Sequence, residues 1–274
     1  MKVLILGAGG MLGHKMAMKL GNSFEIFTAT RQSLSQYTNF ALFDPKRHIE
    51  NLDVGDEVKL LGTLDQHQPE AVINCIGVTT RKLPAGQSHL VIRLNSLLPH
   101  VLSSWCQRNQ SRLIHFSTDC VFSGDKGNYS EEDLTDARDL YGLSKILGEV
   151  KDPPALTIRS SIIGRELLHK TELVEWFLSQ RGRTVKGFSN VYYSGVTTNY
   201  MAYLVEHILK NHQDLSGLYQ LASPRISKMD LLQLINQEFG LGIEIDSDPT
   251  YRSDKSLDGS RLAKILNDSE KPEW

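Results

Sequence analysis

The chain has 274 residues, 40% of them hydrophobic, and a formal net charge of −2 with both signs scattered along it. Such a length can bury a substantial core in one large domain or two smaller ones; the charge pattern lacks the basic stripe of a nucleic-acid binder, and no apolar run approaches the roughly 20 residues that span a bilayer. Cys75, Cys106 and Cys120 are odd in number and lack C-x-x-C spacing, so reduced thiols are expected, with neither a disulfide framework nor a metal site. Because Met1 and Lys2 run straight into an apolar stretch rather than a signal peptide, a cytoplasmic protein acting on a small molecule is expected.

Residues 3–6 suit a buried parallel strand, and the stretch from Met11 has the amphipathic spacing of a helix. Between them Gly7, Gly10 and Gly13 form a G-x-x-G-x-x-G frame; the G-x-G-x-x-G version fails because Leu12 fills its last position. Glycines there permit a tight turn and close approach of a pyrophosphate, and the helix start around Met11, Leu12 and Gly13 offers N–H donors to it. A dinucleotide site is expected, with a purely structural turn as the alternative. Residues 24–31 read as the second strand. No acid stands at its end to bind a ribose 2′-OH; Thr28, Ala29 and Thr30 precede Arg31, so a 2′-phosphate would meet hydroxyls and a guanidinium. This favours NADP, with NAD admitted and a solvated Arg31 as the plainer reading.

Residues 32–55 are irregular, with a short strand expected around 40–43. A helix over 57–67 leads to a buried strand at 71–77, whose last residues Cys75, Ile76 and Gly77 flank the cofactor side of the sheet. Cys75 reads as a packing residue. The loop at 79–88 carries Arg81 and Lys82, whose contact with substrate is left open, and a long helical pattern covers 89–109. His89, His100 and His115 have no metal-ligand spacing. The strand at 112–119 delivers Thr118 to its carboxyl end; strand alternation turns Ser117 and Thr118 to opposite sides. Residues 123–137 are polar and glycine-containing, the composition of a mobile loop beside a substrate.

Tyr141 and Lys145 then fall four apart in a helical segment, about 5–6 Å apart at Cβ. An ammonium there favours the phenolate and lowers a tyrosine pKa from about 10, giving an acid/base pair; an exposed helix pair is the plainer reading. After 155–164 the alternation loosens. A helix is expected at 172–180, a strand and return helix over 191–209 with Thr198 as a cap, a strand at 217–223, and a helix at 227–240 capped by Ser227. The whole reads as α/β: a Rossmann-like doubly wound parallel sheet over 1–160, and a smaller substrate-binding region over 161–274, of which about 189–210 returns to pack on the first.

Three stretches, the glycine frame, STDCVFSGDKGNYSEED from Ser117, and YGLSK followed by LGE, resemble the extended short-chain dehydrogenase/reductases, and within them the dTDP-4-dehydrorhamnose reductase family. Cys120 departs from that pattern, where an aromatic residue is common. The resemblance implies Thr118, Tyr141 and Lys145 as the catalytic set, Lys145 also on the cofactor ribose, Asp53 and Val54 beside the adenine (an ordinary turn acid being the other reading of Asp53), Asn95 as a support, and residues 195–197 near substrate. It implies NAD(P)H-dependent reduction of a nucleotide-linked 4-keto-6-deoxy sugar by an enzyme that can be a homodimer. A nucleotide-sugar epimerase or dehydratase, or a noncatalytic NADP-binding regulatory subunit, are the alternatives.

Overall fold

In the computed structural model, which describes residues 1–79, 86–266 and 272, β1 (Lys2–Leu6) leads through the glycine turn into α1 (Gly13–Leu20), then β2 (Glu25–Ala29), β3 (His48–Ile49), α2 (Glu57–His67) and β4 (Ala71–Asn74). A long helix follows in three parts, α3 (Ser88–Val91), a π-helical stretch Ile92–Leu97, and α4 (Leu98–Arg108). β5 (Arg112–Ser117), α5 (Leu140–Leu147) and β6 (Ala155–Arg159) complete the alternating part. Next come β7 (Ile162–Ile163), α6 (Leu173–Leu178), β8 (Thr184–Phe188), β9 (Val191–Tyr193), β10 (Val196–Thr197), α7 (Thr198–Asn211) and β11 (Gly217–Gln220). β12 (Ile226–Ser227), α8 (Lys228–Glu238), β13 (Glu244–Asp248), β14 (Ser253–Asp254) and α9 (Ser260–Ala263) end the described chain.

The central sheet has seven strands in the order β11-β6-β5-β4-β1-β2-β3, and every neighbouring pair is parallel. Period-two alternation divides its side chains between two cores. Val3 and Ile5 face Met16 and Leu20 of α1 and Met201, Val205 and Ile208 of α7. Leu4 and Leu6 face Leu60 and Leu64 of α2 and Leu102 and Trp105 of α4. A sheet covered on both faces explains why β1 and β4 read as unbroken apolar runs. The strand order reverses between β1 and β4, the place where open α/β sheets bind ligands beyond their carboxyl ends.

Beyond β6, a separate core joins α6 and α8 to β8 and β9 through Val174, Phe177, Val185, Tyr193, Leu231 and Leu232. β8 pairs with β13 in parallel, and β9 lies between β12 and β14. Two segments from after residue 190 belong to the first layer: α7, which packs on α1, and β11, which pairs with β6. Ser227 caps α8 by accepting from the Asp230 amide.

Three local expectations are corrected. The strand expected around 40–43 is absent; Leu34–Phe40 is a 3-10 helix, and the edge strand comes later at His48–Ile49, where it pairs with β2. Packing decides this, because Phe43 stacks on His48 at 4.9 Å and meets the Tyr37 ring edge-on at 5.2 Å. The cap of α7 is Thr197, whose side chain accepts from the Tyr200 amide, while Thr198 is buried. Finally, the polar stretch 123–137 is folded down. Tyr129 stacks on Phe122 at 4.1 Å, its amide donates to the Ser256 carbonyl at 2.9 Å, and Asp136 accepts from the Ser123 amide and hydroxyl, each at 2.6 Å. The polar side chains that suggest a mobile loop satisfy its turns instead.

Among the described residues no helix is long and apolar enough to cross a membrane, and no group of three or more His, Cys, Asp and Glu side chains could hold a metal ion. Arg81 and Lys82 lie outside the described residues.

Candidate active site

The glycine turn sits at the switch point. Gly7 has φ +76°, and a Cβ built on Gly13 would lie 2.1 Å from the Gly7 carbonyl oxygen, so the turn and the first residue of α1 are in backbone contact. The Gly10 amide closes the turn on the Gly7 carbonyl at 3.0 Å. Leu12 turns its side chain into the core and Met11 is half-buried, so what these positions offer a ligand is backbone, the first-turn amides that a helix leaves without partners. The end of β4 flanks the turn: the Cys75 amide donates to the Leu6 carbonyl at 3.1 Å, and a Cβ on Gly7 would sit 2.9 Å from the Ile76 side chain. Gly77 has open space on its Cβ side. Burial pushes the Cys75 thiol well above its ordinary range, which suits packing rather than nucleophilic chemistry.

At the end of β2 the expectation of free hydroxyls is overturned. Thr28 Oγ1 lies 2.8 Å from His48 Nδ1, Thr30 Oγ1 lies 3.0 Å from His48 Nε2, and Thr30 donates its own proton to the Gln32 carbonyl at 2.8 Å. Both threonines are buried. Their hydroxyls are spent inside the protein, and only Arg31, which is exposed, remains for an external phosphate. Asp53 accepts from the Gly55 amide at 2.9 Å, closing a turn, and Val54 lines a small cleft with Arg93, Leu97 and Val101.

Thr118, Tyr141 and Lys145, distant from the glycine turn in sequence, converge past the end of β5. The α5 helix that carries two of them is fixed from both ends. Asp139 caps it by accepting from the Gly142 amide at 3.0 Å, and Gly148 packs so closely on the π-helical stretch that a Cβ there would lie 1.9 Å from the Asn95 carbonyl oxygen. Asn95 also clamps the chain after β4: its Oδ1 accepts from the Val78 amide at 2.9 Å, and its Nδ2 donates to the Val78 carbonyl at 2.8 Å and the Ser144 hydroxyl at 3.0 Å. A π-helical turn is a recurrent way of aiming one side chain inward.

Thr118 Oγ1 donates to Asp119 Oδ1 at 3.0 Å and accepts from the Cys120 amide at 3.1 Å. Ser117 points the other way, as strand alternation requires, donating to Glu149 Oε1 at 2.8 Å. Lys145 is buried, and its ammonium donates to the Phe116 carbonyl at 2.7 Å. Burial lowers its pKa to about 8, with Glu149 opposing the fall. The tyrosine differs from the sequence expectation. Burial pushes the Tyr141 phenol well above its ordinary value, Cys120 adds to the rise, the hydrogen bond with Thr118 opposes it, and Asp119 and Glu172 add further. Desolvation outweighs any stabilisation of the phenolate, so Tyr141 is a protonated phenol at neutral pH, a donor in waiting.

Sequence reasoning did not single out the surroundings of this set. Ser144 bonds Asn95, Glu149 is held by Arg159 through hydrogen bonds of 2.6 and 2.7 Å, and Glu172 at the start of α6 faces the phenol. None of these carries a periodic signal in the sequence, and Glu149 lies just past the end of α5.

Comparisons with known proteins bear on the fold and the family. The chain is 29% identical over 168 residues to the Haloferax volcanii "Probable low-salt glycan biosynthesis reductase Agl14", covering 60% of this chain and 54% of that protein. Here and in the Streptomyces niveus "dTDP-4-keto-6-deoxy-D-glucose reductase" (45% covered) the match spans about half the relative's length. A longer match, 24% identical over 96% of this chain and 87% of the relative, is to the "dTDP-4-dehydrorhamnose reductase" of Aggregatibacter actinomycetemcomitans. Among solved structures, a hypothetical dTDP-4-dehydrorhamnose reductase from Sulfolobus tokodaii superposes with TM-score 0.81 at 28% identity, over 97% of this chain and 95% of that one. The fold is shared as well with a Bacillus anthracis dTDP-4-dehydrorhamnose reductase in complex with NADP (TM-score 0.78, 18% identity, 96% of this chain and 92% of that one). The family model described as "RmlD substrate binding domain" matches residues 1–244, and the chain belongs to that family.

Proposed function

We propose that this chain is an NAD(P)H-dependent oxidoreductase of the extended short-chain dehydrogenase/reductase type that reduces a nucleotide-linked 4-keto-6-deoxy sugar. The observation that carries the reading is the meeting of Thr118 with Tyr141 at the carboxyl end of β5, with Lys145 one helical turn on and bonded to the Phe116 carbonyl; the names of the relatives supply the substrate class. The backbone turn at Gly7, Gly10, Met11, Leu12 and Gly13 would hold a pyrophosphate at the first-turn amides of α1, whose close packing on the turn requires glycine at position 13. Around it Cys75, Ile76 and Gly77 would border the cofactor, Asp53 and Val54 its adenine, Arg31 its 2′-phosphate, and Tyr141 and Lys145 its ribose. A reduced nicotinamide bound there supplies the hydride. Thr118 orients the ketone oxygen, Tyr141 donates the proton that the developing alkoxide requires, and the Lys145 ammonium stabilises the phenolate left behind. Residues 1–160 would hold cofactor and 161–274 mainly substrate, in a cytoplasmic enzyme.

The test is a panel of nucleotide 4-keto sugars with NADPH and NADH, following cofactor oxidation and product stereochemistry. Reduction of one member supports the reading. Epimerisation or dehydration without net cofactor oxidation, or binding without turnover, rejects it. Within that panel Arg31→Ala should weaken use of NADPH by about 1.5–3 kcal/mol, the worth of a hydrogen bond to a charged group, and leave NADH nearly unchanged; equal changes for both reject the 2′-phosphate assignment.

The same reading includes a homodimer. Leu143 and Leu147, one turn apart on α5, are exposed, as are Ile92 and Leu97 on the helix packed against it. Light scattering should give twice the chain mass for the wild type and a single chain mass for Leu143→Glu/Leu147→Glu. A monomeric wild type removes the dimer from the proposal.

A further inference from the structure

Three consecutive residues at the end of β5 are each tied to α5 or to the residue just past its C-cap. The Phe116 carbonyl accepts from Lys145, Ser117 donates to Glu149, and Thr118 meets Tyr141. Tyr141 and Lys145 are one turn apart on α5 and Glu149 follows just past its C-cap, so strand and helix segment meet like rungs. The third rung extends outward. Glu149 Oε1 accepts from Ser117 at 2.8 Å and Arg159 Nε at 2.6 Å, and Oε2 accepts from Arg159 Nη2 at 2.7 Å. Ser117 and Arg159 are register partners on β5 and β6, so one carboxylate from the end of α5 spans two strands. Glu149 and Arg159 side chains are only 3% and 2% exposed. A buried pair of this kind is a poor source of net stability and is better understood as fixing a geometry.

We propose that Glu149, anchored by Arg159 and Ser117, is a positioning residue that sets the register of Thr118 against Tyr141 and, through the adjacent Phe116 and Ser117, keeps a carboxylate near the Lys145 ammonium. The catalytic meaning rests on the proposed reduction; the structural link does not. Lys145 is surrounded by few charges. His115 of β5 faces it and is kept neutral by burial, its pKa well below the ordinary value; His100 of α4 is turned to the Leu147 carbonyl at 2.7 Å; Asp119 is bonded to Thr118; Arg159 is bound to Glu149. Among the described residues, Glu149 is the charge that holds the ammonium's pKa up against burial.

Two readouts test this. The Lys145 Cε resonance in protein carrying ¹³C-labelled lysine, assigned by its loss in Lys145→Arg, reports the titration of the ammonium without cofactor or substrate. In Glu149→Gln its midpoint should fall by about half a pH unit or more, the effect of removing a neighbouring opposite charge, and in Glu149→Asp it should stay near the wild-type value. An unchanged midpoint in Glu149→Gln overturns the electrostatic half. Ser117→Ala keeps the ion pair and should fold normally, with kcat lowered about three- to tenfold and the KM for cofactor unchanged. Wild-type kcat in Ser117→Ala overturns the register half, and it carries the test if Glu149→Gln does not fold. Where the reduction itself is wrong, no variant turns over but the Lys145 midpoint still moves, so the two failures are told apart.

Discussion

Tyr141→Phe is expected to lower turnover of the best nucleotide-sugar ketone by about 10²–10⁴-fold, the usual worth of a positioned general acid, while NADPH affinity changes far less. The substitution removes a single oxygen and keeps the ring, so the surroundings of a largely buried side chain survive it. The structure sharpens the reason. A phenol is protonated at neutral pH and burial raises its pKa further, so the enzyme starts with the acid loaded, and the proton departs only once a developing alkoxide competes for it. The ammonium that would receive the resulting charge has a pKa lowered to about 8; activity should accordingly decline above about pH 8 as Lys145 loses its proton. A folded Tyr141→Phe protein with unimpaired turnover, measured by steady-state cofactor oxidation, rejects the mechanism even if the cofactor cradle is correct.

The second large effect is expected at the other end of the site. In Gly13→Ala the new methyl would lie 2.1 Å from the Gly7 carbonyl oxygen and 2.8 Å from the Ala8 Cα, both backbone atoms that no rotamer change can move aside. α1 must therefore shift away from the turn, at a cost of about 1–3 kcal/mol in stability from overpacking. The same shift spoils the alignment of the first-turn amides, and NADPH affinity should fall by about tenfold or more, as two backbone donors worth about 0.5–1.5 kcal/mol each are misplaced. Fluorescence titration and a thermal melt measure the two effects. Gly62→Ala is the control: nothing lies within 4 Å of its Cβ position in α2, so it should bind NADPH normally and melt slightly higher. Normal NADPH affinity in Gly13→Ala would remove the cradle from the proposed site.

Local patterns identified β1, α1, α2, β4, β5 and α5 because each combines a buried face with a single period, which sequence displays directly. The glycine frame and the Tyr141–Lys145 spacing were legible for the same reason. What stayed hidden depends on contacts across sequence. The hydroxyls of Thr28 and Thr30 look available in the chain and are consumed by His48, some twenty positions later, once β3 pairs with β2. The Tyr141 phenol was expected to be acidified by a neighbour one turn away, but Lys145 is turned to the Phe116 carbonyl, and desolvation by surrounding elements sets the balance. The supporting pair of Glu149 and Arg159 belongs to different elements and has no periodic signature.

The seventh strand of the central sheet is supplied by Gly217–Gln220, and the helix laid across α1 by Thr198–Asn211, both after the chain has already built β7 to β10. The nucleotide-binding layer is thus closed by segments that begin 39 and 58 residues after the end of β6. Until they arrive, the edge of β6 presents unpaired backbone groups, and Val3, Ile5, Met16 and Leu20 lack their covering helix. A chain ending between β6 and α7 exposes both the open edge and the uncovered core, so a fragment cut there lacks the strand and helix that close the layer.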